Sequence, residues 1–195
     1  MGFIEPITLR GIHVTLEPLA PGHADGLVLA AADGELWKLW YTKVPDAAGM
    51  GAEITRRLQL LEAGSMLPFA VRRNDTGALC GMTTYMNADA ANRRVEIGST
   101  WTAASAQRTG VNTESKLLLL THAFEQLHCI AVEFRTSFMN QQSRTAIARL
   151  GARQDGILRN HQISADGIRR DTVVFSITDA DWPAVRCHLQ FKLAR

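Results

Sequence analysis

From Ala91 to Phe138 the chain reads ANRRVEIGSTW, then AQRTGVNTESKLLLLTHAFEQL, then CIAVEFRTSF. The outer segments carry the Val, Ile, Phe and Thr that suit strands. In the middle one Leu117, Leu120, Phe124 and Leu127 recur at helical spacing and form its expected apolar stripe. A strand that returns through a single helix crosses over, so the two strands are expected to be parallel neighbours. Ligands of such sheets favour the carboxyl ends of parallel strands. In this chain that end leads into AQRTGVNT, the small, polar start of the helix.

The remaining segments surround this crossover with antiparallel partners. ITLRGIHVTLEPL reads as a strand, straight or else bent or hairpin-like, with Gly11 as its irregular point, and APGHADGLVLAAAD as a short helix. LWKLWYTKVP is an aromatic-rich connection, and AGMGAEITRRLQLLEAG an amphipathic helix stopped by Gly64. LPFAVRR turns at NDTG into ALCGMTTYM, which is hairpin chemistry. NQQSRTAIARLG is a helix with Asn140 at its N-cap and Gly151 past its end. RQDGILRNHQI and RRDTVVFSIT are strands around the turn SADG, and DADWPAVRCHLQFKL is a closing helix with Pro183 in its first turn. The reading is a mixed, mostly antiparallel sheet of about seven strands in one domain spanning residues 1–195.

Composition narrows the function classes. The chain is 46% hydrophobic with a net charge of +2, so no global field argues for nucleic acid or a membrane surface. Its longest apolar run, KLLLL, is far too short to span a bilayer, and MGFIEPITLRG lacks a signal pattern. Cys80, Cys129 and Cys187 are scattered, with no metal-binding spacing. A reducing cytoplasm and no metal are expected.

The polar helix start has two readings. Asn112 or Thr113 can simply cap the helix. Alternatively, the unpaired first-turn N–H groups and the helix dipole cradle a phosphate, with Gly110 allowing close approach and Arg108 adding a cation. A P-loop and a dinucleotide fingerprint are both excluded by their missing residues.

With its surroundings the loop resembles the acetyl-CoA loop of the GCN5-related N-acetyltransferase (GNAT) superfamily, Q/R-x-x-G-x-G/A, here Gln107-Arg108-Thr109-Gly110-Val111-Asn112. Asn112 departs from the usual Gly or Ala. The following TES is similar to the T-E-A of the branch that acetylates ribosomal-protein N-termini (RimJ/RimL-like). MNQQSRTAIARLGA and GILRNHQISADGIRRDTVVFSI resemble later segments of the same branch. The resemblance covers almost the whole chain. It implies the GNAT fold: α+β in α/β/α layers, with the parallel pair splayed and helices on both faces. It implies acetyl-CoA as co-substrate and a primary amine as acceptor, either a protein or peptide N-terminus or a small molecule, and it leaves a homodimer open. No nucleic acid or membrane is expected as a partner. The alternative is a CoA-binding scaffold or interaction protein with little or no turnover.

The resemblance also distributes roles. The backbone around Gln107, Arg108, Thr109, Gly110, Val111, Asn112 and Thr113 would hold the CoA pyrophosphate, and Thr100, Trp101 and Thr102 the pantetheine arm. Asn140 would contact the pantetheine, or serve only as a cap. Amine attack on a thioester needs a proton acceptor, and the leaving thiolate benefits from a donor. Many relatives place a tyrosine donor where this chain has Ile147, so Ser143 is the candidate, against the role of a plain first-turn serine. Glu96 is the candidate base, or else an exposed strand residue paired with Arg94 or Arg135; Glu133 ranks second. Trp37, Trp40 and Tyr41 are candidates for the acceptor wall, with helix packing as the competing role, strongest for Trp37. Tyr85 and Met86 are expected on the same wall, and His122 and His128 at a helix surface or end.

Overall fold

The computed structural model describes residues 2–164 and 166–195. Ala165, in the expected turn SADG, lies outside the described residues. Eight strands form one sheet: β1 (Leu9–Arg10), β2 (Val14–Pro18), β3 (Met66–Arg73), β4 (Leu79–Asp89), β5 (Arg94–Thr102), β6 (Ala131–Ser137), β7 (Arg153–Ile163) and β8 (Arg169–Thr178). Their spatial order is β1-β2-β3-β4-β5-β6-β8-β7, and every neighbouring pair is antiparallel except β5–β6. The helices are α1 (Ala24–Ala32), α2 (Met50–Glu62), α3 (Gly110–Thr121), α4 (Gln141–Ala148) and α5 (Trp182–Leu193). No helix is long and apolar enough to cross a membrane among the described residues.

The expected strand order and parallel crossover are present, with one strand more than expected. The extra strand comes from a break at Gly11, which folds Leu9–Arg10 back on Thr15–Leu16 as a short hairpin. The cause is tertiary. The Glu114 carboxylate of α3 accepts the backbone N–H groups of Ile12, His13 and Val14 at 2.8, 2.6 and 2.8 Å. A Cβ at position 11 would collide with that carboxylate, so the turn requires glycine.

Helices cover both faces. Thr84 of β4 meets Arg57 of α2, and its neighbour Thr83 meets Lys116 of α3. Successive strand residues point to opposite faces, so α2 and α3 lie on opposite sides of the sheet. The apolar stripe of α3 differs from the expected one. Leu119 and Leu120 are fully buried while Leu117 is only half-buried, and Glu114, Ser115 and Lys116 are buried as well. The helix is enclosed on more than one side, by β1 and β2 and by α5, so a single stripe does not describe it. It continues into a π-turn at His122–Gln126. His122 is buried there beside Tyr85, its Nδ1 3.3 Å from the hydroxyl, which corrects the expected surface position; His128 is exposed at the helix end.

The parallel pair is short. β5 and β6 are in register at Arg94–Ala131, Val95–Val132 and Glu96–Glu133, and then they part. β5 stays with β4 as far as Thr102–Gly81, and β6 stays with β8 as far as Ser137–Thr172. Between Gly98 and Trp101 β5 carries two residues opposite the single Thr83 of β4. This is a bulge, with Ser99 in the left-handed region at φ 47°. A bulge bends its strand and increases its twist, turning the end of β5 away from β6.

Candidate active site

The splayed strands leave backbone groups along the inner edge of β5, from Ile97 to Thr102, without a partner strand. This edge leads, through a short turn at Ala104–Ala106, into the start of α3. Thr109 is the N-cap, its hydroxyl accepting the Val111 N–H at 3.3 Å. The cap is therefore Thr109, not Asn112 or Thr113. The Asn112 side chain is half-buried and makes no hydrogen bond to described residues. Arg108 is exposed and holds a left-handed turn at φ 60°, which lifts the chain into the helix. The first-turn N–H groups of Gly110, Val111 and Asn112 lack i−4 partners. A cavity of about 240 Å³ flanked by His13, Arg73, Thr109 and Gly110 lies beside this helix end.

Gln107 ties the site together. Its amide donates to the Thr102 carbonyl at 2.9 Å and accepts from Gln142 of α4 at 3.0 Å. The side chain thus joins the tip of β5 to α4. Because its backbone N–H donates to the Ala104 carbonyl at 3.2 Å, Gln107 braces the loop and has no free backbone donor for a phosphate, which corrects its expected role. Asn140 caps α4, accepting the Ser143 N–H at 2.9 Å through Oδ1. The half-buried Ser143 hydroxyl has no hydrogen-bond partner among the described residues. Ile147, where many relatives carry a tyrosine, is buried.

Glu96 sits at the apex of the splay, on the same face as Thr84 and α2. It is buried, accepting the Asn87 amide at 2.8 Å, with Arg135 Nε at 3.5 Å. Burial raises its carboxyl above the ordinary range; the Asn87 hydrogen bond and the Arg135 charge oppose that rise, and the Glu133 charge adds to it. Arg94 pairs with Glu133 instead, and Arg135 also reaches Glu133 at 2.9 Å. Asn87, Asp89, Arg94, Glu96, Glu133 and Arg135 line one cavity of about 140 Å³. Glu133 has two arginine partners, so Glu96 is the carboxylate with the weaker counter-charge.

The aromatic connection is open to solvent. Trp37 and Trp40 are 37% and 64% exposed, and Trp40 meets Tyr41 edge-on at 5.8 Å. Leu36 supplies the buried contact there, so Trp37 is not the packing residue. Tyr85 requires a correction. It is fully buried, its hydroxyl donates to the Leu119 carbonyl and its ring packs on Phe69, so it belongs to the core under α3 and not to an acceptor wall. The reason is strand parity. Tyr85 is odd relative to Met86, and only Met86 shares the face of Glu96, its register partner.

Four polar residues of this region escaped the sequence reading: Asn87, Arg57, Glu114 and Lys116. A signal existed for two of them. Arg57 stands three after Ile54 and Lys116 four before Leu120, so each places a charge on an otherwise apolar helical face.

Comparisons with known proteins agree with this fold. The acetyltransferase (GNAT) domain family matches residues 13–153. A Bacillus subtilis (strain 168) relative named "Putative ribosomal N-acetyltransferase YdaF" is 33% identical over 106 residues, which cover 54% of this chain and 57% of that protein. A crystal structure of a GCN5-related N-acetyltransferase from Brucella melitensis superposes with a TM-score of 0.87 at 30% identity, covering 97% of this chain and 86% of that one. Mycobacterium smegmatis RimJ in complex with CoA-disulfide shares the fold with a TM-score of 0.80 at 24% identity, over 97% and 96% of the two chains. With an opened parallel pair below an uncovered helix start, and a family match over most of its length, the chain belongs to the acetyltransferase (GNAT) domain family.

Proposed function

We propose that the protein is an acetyl-CoA-dependent N-acetyltransferase acting on a primary amine, by direct attack within a ternary complex. The observation that carries this is the register of β5 and β6, which stops at Glu96–Glu133 and leaves an unpaired strand edge between the start of α3 and a buried carboxylate. Acetyl-CoA supplies an activated thioester carbonyl. The N–H groups at the start of α3 fit its pyrophosphate, with Arg108 exposed beside them. The edge at Thr100, Trp101 and Thr102 fits an extended amide-bearing arm.

Chemical roles follow from what each side chain is free to do. Glu96 takes a proton from the attacking amine, directly or through water, and its raised pKa brings it nearer the range where a base is efficient. The Ser143 hydroxyl, free of intramolecular partners and one turn into α4, donates to the departing thiolate. Asn140 spends its oxygen on the cap and keeps its amide N–H groups for the arm. The exposed Trp37, Trp40 and Tyr41 offer aromatic surface to the acceptor. The name of the Bacillus subtilis relative favours a protein N-terminus as acceptor. A cytoplasmic location fits the three free cysteines.

Release of CoA thiol across a panel of peptide N-termini and small amines tests the proposal. Turnover with one class of amine supports it. Binding of acetyl-CoA without turnover on any amine would favour a scaffold, the reading that the buried Ile147 supports. No thermal stabilisation by saturating acetyl-CoA would remove both.

A further inference from the structure

Two cations are buried in the sheet region, and neither takes part in the roles above. Arg57 is 3% exposed and Lys116 5%. Arg57 comes from α2 and Lys116 from α3, so they approach the sheet from opposite faces and meet it at the same place. Arg57 donates to Thr84 Oγ1 at 2.7 Å and to the Ser99 carbonyl at 3.3 and 3.4 Å, while its Nε holds Glu53 at 2.7 Å. Lys116 Nζ donates to Thr83 Oγ1 and Thr100 Oγ1, both at 2.9 Å, and those two hydroxyls lie 2.8 Å apart. The contacts on β5 are therefore Ser99 and Thr100, the two residues of the bulge.

Stability alone gives no reason for this arrangement. Lys116 is bonded to two hydroxyls and has no carboxylate partner among the described residues, and burying an amine without a counter-charge is costly compared with burying an apolar side chain of the same length. Burial pushes its amine down to about 7, so it sits there as a donor with a reduced charge. Ser99 also holds a left-handed conformation without being glycine, a strain that persists only where surrounding contacts impose it. A bonded carbonyl on one face and a bonded hydroxyl on the next residue on the other face impose it.

We infer that Arg57 and Lys116 are positioning residues that clamp the β5 bulge from the two faces of the sheet and so hold open the strand edge of the cleft. For its functional consequence the clamp rests on the proposed acetyl transfer. Its structural claim stands apart from it. Because α2 covers the face that carries Glu96 and α3 opens at the other end of the β5 edge, the clamp ties both helices to one fixed point.

Three variants test it: Lys116→Met, Arg57→Lys, and the pair combined, each read by amide hydrogen exchange, melting temperature and steady-state kinetics. In Lys116→Met the exchange of Ile97 to Thr102 is expected to speed up by about tenfold, with no loss of melting temperature and with α1 and β7–β8 unchanged. The KM for acetyl-CoA is expected to rise by about tenfold while kcat at saturation stays within about twofold. Arg57→Lys, which keeps the charge but not the fork, is expected to loosen the same segment, and the combined variant to show less than the sum because both hold one bulge. Unchanged exchange at Ile97 to Thr102 in both single variants would overturn the clamp. So would faster exchange spread through the whole sheet with a matching fall in melting temperature. If wild type fails to bind acetyl-CoA, the functional proposal falls, and the exchange data still decide the clamp.

Discussion

Two buried glutamates flank the cleft, and they are held in opposite ways. Glu114, at the start of α3, receives three backbone N–H bonds from Ile12, His13 and Val14. Glu96, at the apex of the splay, receives one amide hydrogen bond from Asn87 and has a cation no nearer than 3.5 Å. The same side chain in comparable burial is thereby given two jobs. Glu114 has its oxygens committed to backbone donors, which docks α3 on the β1–β2 hairpin and fixes the helix start where the phosphate would lie. Glu96 is left under-satisfied, with its carboxyl raised by burial, and lines a cavity. The contrast separates a carboxylate saturated by backbone donors from one left with a single hydrogen bond, and the proposed role of Glu96 as base rests on that difference.

The strongest way to break this comparison is at Glu114. Glu114→Ala leaves three N–H groups without an acceptor and is expected to cost about 3–5 kcal/mol in denaturant unfolding. Gly11→Ala drives a methyl into the same carboxylate and is expected to lose about 2–4 kcal/mol. A loss below about 1 kcal/mol in both would show that the hairpin does not depend on this contact.

Glu96 predicts the reverse pattern. Glu96→Gln is expected to slow turnover by about a hundredfold or more while acetyl-CoA affinity and melting temperature hold. Wild-type rates would remove Glu96 from the mechanism. Ser143→Ala is expected to cost about tenfold or more in kcat with affinity unchanged, a smaller effect because a water can enter in place of the hydroxyl. An unchanged kcat returns Ser143 to the role of an ordinary first-turn serine.

The pH dependences are smaller still and carry opposite signs. Folding raises the Glu96 pKa above 4.5, so its protonated form is favoured in the native state. The contribution to stability is present below 4.5 and lost as pH rises through the raised value. Activity runs the other way, increasing with pH through that value as the base ionises. Folding lowers the Lys116 pKa from 10.5 to about 7, so between those values the unfolded chain binds the extra proton and stability rises with pH. Denaturant curves of wild type against Lys116→Met over that window check this. Wild type is expected to gain stability relative to Lys116→Met as pH rises, and a difference independent of pH would mean that the amine is not neutralised on folding.

Much of the fold was legible because it depends on local periods. The strand-rich segments around the α3 leucines made the crossover readable, and Asn74 to Gly77 marked the β3–β4 hairpin, with Gly77 N–H bonded to the Arg73 carbonyl at 2.9 Å. Less of the site was legible. The loop from Gln107 to Thr113 was found by its letters, but which residue capped the helix was not, because Thr109, Asn112 and Thr113 are all competent caps and only the backbone turn at Arg108 selects among them. Tyr85 was misplaced because its position after Thr84 says nothing about which face carries helix α3. Arg57 and Lys116 were passed over because a single charge within an apolar stripe is ordinarily a surface residue.

The sequence by itself determined the main helices and strands, their order and the parallel crossover, though not the division of β1 from β2, because side-chain period and connection length set these over a few residues at a time. The tertiary structure alone decided that β5 and β6 part after three paired residues, that Glu96 is buried with few donors, and that two cations meet at Ser99 and Thr100. Those outcomes depend on groups brought together from helices and strands far apart in the chain. Their energies arise from burial and hydrogen bonding across the sheet, where local spacing carries no information.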